Sequence, residues 1–299
     1  MTGPDDRESR GGQPDSSGLV VGQVGVRRVV VLLDASRGSL AALDAAAAFA
    51  RASRVEFVGW FVAEDALVHC AGYPWAREVG ASGAVRPMQP GEVEQRLRDR
   101  AEAMRLDLER IARAHGLQAR LQVYRGRVIQ TVLRESTRHD FLVLGKVGYG
   151  RALGLRVGST ARELMARAPG PVMIYEPPVR SASPAVVAVV VPAGEEGLRA
   201  LEAAVAMTRE NGASLAVLLP REGVGGGVQR EHAVRTLLQE TDILARVQSI
   251  RSVTADSILQ VLREESAQRL VIPRQWGLQA SREPADLVED AMMPVVVVP

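Results

Sequence analysis

Aromatic side chains make up only 4% of this 299-residue chain, so any core it builds must be filled by Ala, Val and Leu. Cysteine occurs once, at Cys70, which excludes an internal disulfide and a cysteine-based zinc cluster and fits a reducing cytoplasm. The four histidines, His69, His115, His139 and His232, are not paired at ligand spacing, so a metal centre is not expected. No apolar run approaches the ~18 residues needed to span a bilayer. The opening MTGPDDRESRGGQPDSSG has neither the basic nor the apolar region of a secretory signal, so a cytoplasmic location away from membranes is expected. The formal net charge is only +2, with acids and bases interspersed, which gives no electrostatic case for a nucleic-acid partner. No G-x-S-x-G elbow, no G-x-G-x-x-G after a first strand and no Gly-Lys-Ser/Thr occurs. Hydrolase-elbow, dinucleotide-dehydrogenase and Walker-type chemistry are therefore unsupported.

What is present is an alternation of short apolar runs with amphipathic stretches. Residues 1–26 are rich in Gly, Ser, Asp and Pro and are expected to form a disordered tail. Then come a Val/Leu strand at 28–33, a helix at 39–52, a strand at 55–62, a charged helix at 92–115, a strand at 121–124, a helix at 128–137 and a strand at 141–144. A helix from Thr160 to Ala168 and a strand from Val172 to Tyr175 complete the set. The connection from Ala63 to Gly91, with Cys70, Tyr73 and Trp75, is long for a compact domain and reads as a functional or a disordered loop, its two aromatics arguing for partial order. After a linker at 178–184 the pattern repeats. Ile129…Val132-Leu133-Arg134-Glu135 is echoed by Ile258…Val261-Leu262-Arg263-Glu264, and Pro171-Val172-Met173-Ile174 by Pro294-Val295-Val296-Val297. The expected fold is α/β: two tandem, doubly wound, five-stranded parallel-sheet domains at 27–177 and 185–299.

The most informative stretch is Leu142 to Thr160. A buried strand breaks at Gly145, and the glycines follow as Gly145-x-x-Gly148, nine residues, then Gly158-Ser159-Thr160 at a helix start. Glycine lets the backbone come close to an anion, and a helix N-terminus offers unpaired N–H groups with the positive end of its dipole. Two readings stand: a phosphate cradle, or an ordinary surface loop in which Ser159 and Thr160 merely cap the helix. Lys146, the one lysine of the chain, suits a point-charge contact to a phosphate. Arg151 and Arg156 either screen a triphosphate or are solvated.

This spacing, with Leu33-Asp34-Ala35-Ser36 at the end of the first strand and Ala168-Pro169-Gly170-Pro171-Val172 before the fifth, resembles the ATP-binding universal stress proteins. The resemblance implies that Asp34 and the backbone of Ala35 contact a nucleoside, with Phe61 or Val62 beside the base. Leu144 and Gly145 would line the ribose, and Gly148, Gly158, Ser159 and Thr160 would hold the phosphates. It implies ATP, with Mg²⁺ on its phosphates, as cofactor; a cyclic nucleotide such as cAMP stays open, because glycine loops do not count phosphates. The second copy departs from the pattern. Its first strand ends Val191-Pro192-Ala193-Gly194, and its shorter loop Pro273-Arg274-Gln275-Trp276-Gly277 lacks both glycine elements. It is expected to bind no ATP and to pair with the first copy through the strands at 172–175 and 295–298, as family dimers do; two tandem chains can also assemble into a homodimer. The expected function is a nucleotide-binding regulator of a stress response, read by a protein partner. The alternatives are a slow ATPase or phosphotransfer enzyme, for which no base is evident, and a nucleotide-free interaction module.

Overall fold

The computed structural model describes residues 20–21, 24–80, 82–146, 157–178, 185–221, 227–241, 243–250, 254–275 and 284–299. Gly148, Arg151, Arg156 and most of both the expected tail and the expected linker lie outside the described residues.

The chain opens with a small hairpin, β1 (Val20–Val21) and β2 (Val24–Gly25), so ordered backbone begins earlier than the composition suggests. The first half continues with β3 (Arg28–Leu32), α1 (Arg37–Ser53), β4 (Glu56–Ala63), α2 (Asp65–Ala71), β5 (Arg77–Val79), β6 (Val85–Pro87), α3 (Pro90–Ala114), β7 (Ala119–Arg125), α4 (Val128–Glu135), β8 (Asp140–Gly145), α5 (Ser159–Arg167) and β9 (Val172–Tyr175). The second half comprises β10 (Val186–Val190), α6 (Glu195–Asn211), β11 (Ser214–Pro220), α7 (Gly227–Thr241), β12 (Ala245–Ile250), α8 (Ala255–Glu264), β13 (Arg269–Pro273), α9 (Pro284–Asp290) and β14 (Val295–Val298). The connection at 63–91 is thus not a bare loop. It holds α2 and the antiparallel β5–β6 hairpin, whose side chains are mostly exposed.

One ten-stranded sheet runs through both halves in the order β12-β11-β10-β13-β14-β9-β8-β3-β4-β7. Every neighbouring pair is parallel except one. β14 meets β9 antiparallel, with Val296 opposite Met173, so the two strands open to such pairing take each other within one chain. Each half is a five-stranded parallel unit wound outward in both directions from its first strand. Val-rich strands suit this position because both faces are covered. Alternate residues feed opposite faces: Val29 and Val31 join Leu43, Phe49 and Leu108 on one side, while Val30 joins Trp60, Leu142 and Leu164 on the other. Both apolar layers continue without a break into the second half.

At the amino end of β3, Arg28 donates through Nε and Nη2 to Asp140, each at 2.7 Å, and Asp140 also accepts from the Thr137 N–H. The buried carboxylate raises the affinity of the Arg28 guanidinium for its proton, through a hydrogen bond first and charge attraction second.

Candidate functional site

In the first half the chain leaves β3 toward β4 on one side and toward β8 on the other. A crevice at the carboxyl ends of the strands is the geometric result. A cleft of about 390 Å³ occupies it, within the size range of small-molecule sites. Its floor is the tips of β3, β4 and β8, and one wall is the first turn of α5.

Asp34 follows β3, and its Oδ1 accepts the Ser36 N–H at 2.9 Å. Ala35 between them has φ of 62°, in the left-handed region, so the chain turns sharply and presents Asp34 to the cleft. Ser36 then caps α1: its Oγ accepts the Ser39 N–H at 3.1 Å, while Ser39 Oγ donates back to the Ser36 carbonyl. The opening of α1 is thereby supplied with its own acceptor.

The opening of α5 is not. Its cap is Gly158, with φ of −62° and no side chain to bond the first turn. Ser159 and Thr160 therefore lie inside the helix as its first residues, so of the two readings the one in which they cap the helix does not hold. With a cap that has no side chain, the first-turn N–H groups keep their usual lack of intrahelical acceptors, and Gly158 to Ala161 line the cleft. A methyl added at Gly158 would meet no atom of the described residues within 4 Å.

Gly145 is glycine for a different reason. A Cβ there would stand 2.6 Å from the Gly38 carbonyl carbon and 2.9 Å from the Ser39 nitrogen, both main-chain atoms. The end of β8 passes directly under the start of α1, and only glycine fits.

Of the expected contact residues, Asp34, Phe61, Val62, Leu144, Gly145, Lys146, Gly158, Ser159 and Thr160 line this one cleft. Ala35 adjoins it without lining it, and Gly148 lies outside the described residues. Lys146 has a further partner that the sequence does not show. Its side chain is buried, and its Nζ donates to the Ala291 carbonyl in the second half at 2.8 Å. Burial lowers its pKa from the ordinary lysine value, with Glu176 and Asp290 pulling the other way. What Lys146 offers the cleft neighbourhood is main chain: its carbonyl accepts the Gly158 N–H at 3.3 Å, drawing the two ends of the glycine-rich segment together.

Further lining residues carry little sequence signal. Trp60 lies on the floor, fixed by a 2.7 Å bond from Nε1 to Gln122 Oε1 and by edge-on contact with Tyr124. Glu64 and Leu67 come from the start of α2, and Leu97 and Arg100 from α3, so the inserted segment and the long helix supply an outer wall. Cys70 and Trp75 do not cover the cleft; both are exposed, and Trp75 stacks on Tyr73 at 5.1 Å. Among the described residues no group of three His, Cys, Asp or Glu stands ready to hold a metal ion. The donor set suits a cation carried in on phosphates, with Asp34 and Glu64 as the carboxylates at hand. No helix among the described residues is long and apolar enough to cross a membrane.

The second half differs at the equivalent place. Pro192 stands where Asp34 does, and Gly197 of α6 packs so tightly that a Cβ would fall 2.1 Å from the Pro192 carbonyl oxygen.

Solved structures share this architecture across both halves. A universal stress protein from Archaeoglobus fulgidus DSM 4304 superposes with a TM-score of 0.68 at 15% identity, covering 91% of this chain and 96% of that one. A putative universal stress protein from Pseudomonas aeruginosa UCBPP-PA14 gives 0.58 at 14% identity, covering 91% and 93%. A functionally unknown protein from Pseudomonas aeruginosa PAO1 gives 0.56 at 15% identity, covering 91% and 92%. At such identities these likenesses establish the fold. No curated protein sequence matches the chain. The sequence pattern of the universal stress protein family matches residues 25–176, half of the chain and the whole of the half that holds the cleft. With fold and sequence pattern in agreement, the chain belongs to the universal stress protein family.

Proposed function

We propose that the first half binds an adenine nucleotide, ATP with its Mg²⁺, and that the occupied state is read by a protein partner as part of a stress response. One observation carries this: Asp34, the close-packed Gly145 and the open N-terminus of α5 converge on a single cleft at the strand-order switch point. Asp34 at one end suits a nucleoside, and the first-turn N–H groups of α5 with the Ser159 and Thr160 hydroxyls at the other suit phosphate oxygens. The Trp60–Phe61–Val62 tip of β4 supplies an apolar surface for the base. Bound, the metal would screen phosphate charge, with Asp34 and Glu64 near enough to take part. The second half, with Pro192 in place of the aspartate, serves as the internal pairing partner, at 185–299 against 27–177.

The test is to denature the purified protein as isolated and identify released nucleotide by chromatography and mass spectrometry. Calorimetric titration with ATP and with cAMP follows, on wild type and on Gly158→Ala with Ser159→Ala. About one ATP per chain, lost in the variant, supports the proposal. Preference for cAMP changes the ligand and keeps the site. No nucleotide released, and no heat with either ligand at micromolar levels, sinks it.

A further inference from the structure

Lys146 and Arg274 occupy matching places in the two halves, each directly after the fourth parallel strand of its unit, β8 or β13. Their main chains behave alike: the Lys146 N–H donates to the Tyr175 carbonyl at 3.0 Å, and the Arg274 N–H to the Val298 carbonyl at 2.7 Å. Their side chains both cross to the other half. Lys146 Nζ reaches the Ala291 carbonyl, just past the end of α9. Arg274 Nε reaches the Met165 carbonyl at 2.7 Å and Nη2 the Ala168 carbonyl at 2.6 Å, at the end of α5. Ala168 and Ala291 are themselves equivalent, each two residues past its helix's penultimate residue and three before the matched prolines Pro171 and Pro294. The contacts thus form a reciprocal pair about the β9–β14 step. A third contact, the ion pair of Arg162 with Glu289, joins α5 to α9 between them. A cation on the terminal carbonyls satisfies groups the helix leaves open and complements its dipole.

Each contact bears on a boundary of the cleft. α5, held at its carboxyl end by Arg274, is the helix whose first turn forms the cleft wall. Lys146, held by the end of α9, is the residue whose carbonyl accepts the Gly158 N–H at the neck of the glycine-rich segment.

We infer that the second half is a positioning element for the cleft: Arg274 and the end of α9 fix α5 and Lys146, so cleft occupancy and the contact between the halves are linked. Arg274 is not a cleft residue and acts only through α5. The ligand arm of this inference rests on the nucleotide-binding proposal; the positioning arm does not. Linkage is reciprocal, so a ligand that tightens the first turn of α5 also tightens the contact between the halves.

The experiment is hydrogen exchange by mass spectrometry on the full chain, comparing wild type with Arg274→Met, Arg274→Lys and Lys146→Met. Ile272→Val, a one-methyl core change in the same apolar layer that removes none of the three contacts, is the control. Expected is exchange about tenfold faster in peptides covering Leu142–Lys146 and Val157–Leu164 of Arg274→Met and Lys146→Met, within the range of coupled sites. Arg274→Lys should recover part of the protection, and Ile272→Val should leave those peptides as in wild type. A folded Arg274→Met with wild-type exchange there, or an equal rise in Ile272→Val, overturns the inference. Should Arg274→Met not fold, Lys146→Met and Arg162→Gln put the same question from the other two contacts. Titration with ATP separates the arms. If wild type binds ATP, Arg274→Met should bind about tenfold more weakly, and unchanged affinity would overturn the linkage. If wild type binds none while the exchange result holds, the nucleotide proposal fails and the positioning role stands.

Discussion

Alanine at Gly145 and alanine at Gly158 add the same methyl group to the same cleft and should do opposite things. At Gly145 the new Cβ would stand 2.6 Å from the Gly38 carbonyl carbon and 2.9 Å from two more main-chain atoms of the α1 opening. An ordinary contact begins at 3.4 Å, so the start of α1 must retreat by roughly 0.8 Å. No flexible side-chain end is there to give way. Overpacking of this kind costs about 1–3 kcal/mol, and a main-chain clash belongs in the upper half of that range. At about 2–4 °C per kcal/mol for a domain of this size, the Gly145→Ala melting temperature should fall by about 5–10 °C. At Gly158 the methyl meets nothing within 4 Å among the described residues and φ is −62°, so neither clash nor strain arises from them. The slight loss of glycine at a cap position is offset by a stiffer unfolded chain, leaving stability within about 0.5 kcal/mol of wild type. The assay is thermal unfolding of both variants followed by ATP titration. A Gly145→Ala protein melting with wild type refutes the close-approach reasoning. A Gly158→Ala protein that keeps both its melting point and its ATP affinity refutes the claim that a phosphate comes against the start of α5.

Three further outcomes follow from the described contacts. Arg28→Met strands the buried Asp140 carboxylate with only its Thr137 bonds and should cost about 3 kcal/mol in denaturant unfolding. Ser36→Ala removes the α1 cap and should cost about 1 kcal/mol by the same assay. Burial raises the Glu202 carboxyl pKa above the ordinary value of 4.5, Arg199 pulls it down, and its Oε2 has no hydrogen-bond partner among the described residues. The stability this lends is complete below the unfolded value and is lost as pH rises through the folded one. Glu202→Gln should therefore melt higher than wild type at neutral pH, with the advantage vanishing below pH 4.5; an advantage independent of pH would contradict the assignment.

How legible the molecule is depends on where each residue finds its partner. The central strands read directly from sequence because burial on both faces demands unbroken apolar runs, and the bounds of β9 and β14 follow from those runs alone. The β5–β6 hairpin and α9 are not legible. Arg77–Val79 and Val85–Pro87 are too short and too exposed to alternate, and Pro284–Asp290 spans barely two turns. In the cleft, Asp34, Gly145 and the start of α5 are visible because glycine and a strand-end acid are rare signals in fixed order. The Lys146 bond to the second half is hidden for the opposite reason: its acceptor is a main-chain carbonyl 145 positions away, and carbonyls carry no sequence identity. Glu64, Leu67, Leu97 and Arg100 reach the cleft only because α2 and α3 fold over it.

The single antiparallel step from β14 to β9 has a consequence for dilution. Two separate chains joined at such a step part when their concentration falls below the dissociation constant. Here both edges belong to one covalent chain, and tethered partners meet at an effective concentration on the order of millimolar. The ten-stranded sheet therefore stays whole however scarce the protein is. Because the two edges are encoded separately, either side of the joint is free to change without the other. That freedom is what lets one half carry Pro192 where its counterpart carries Asp34.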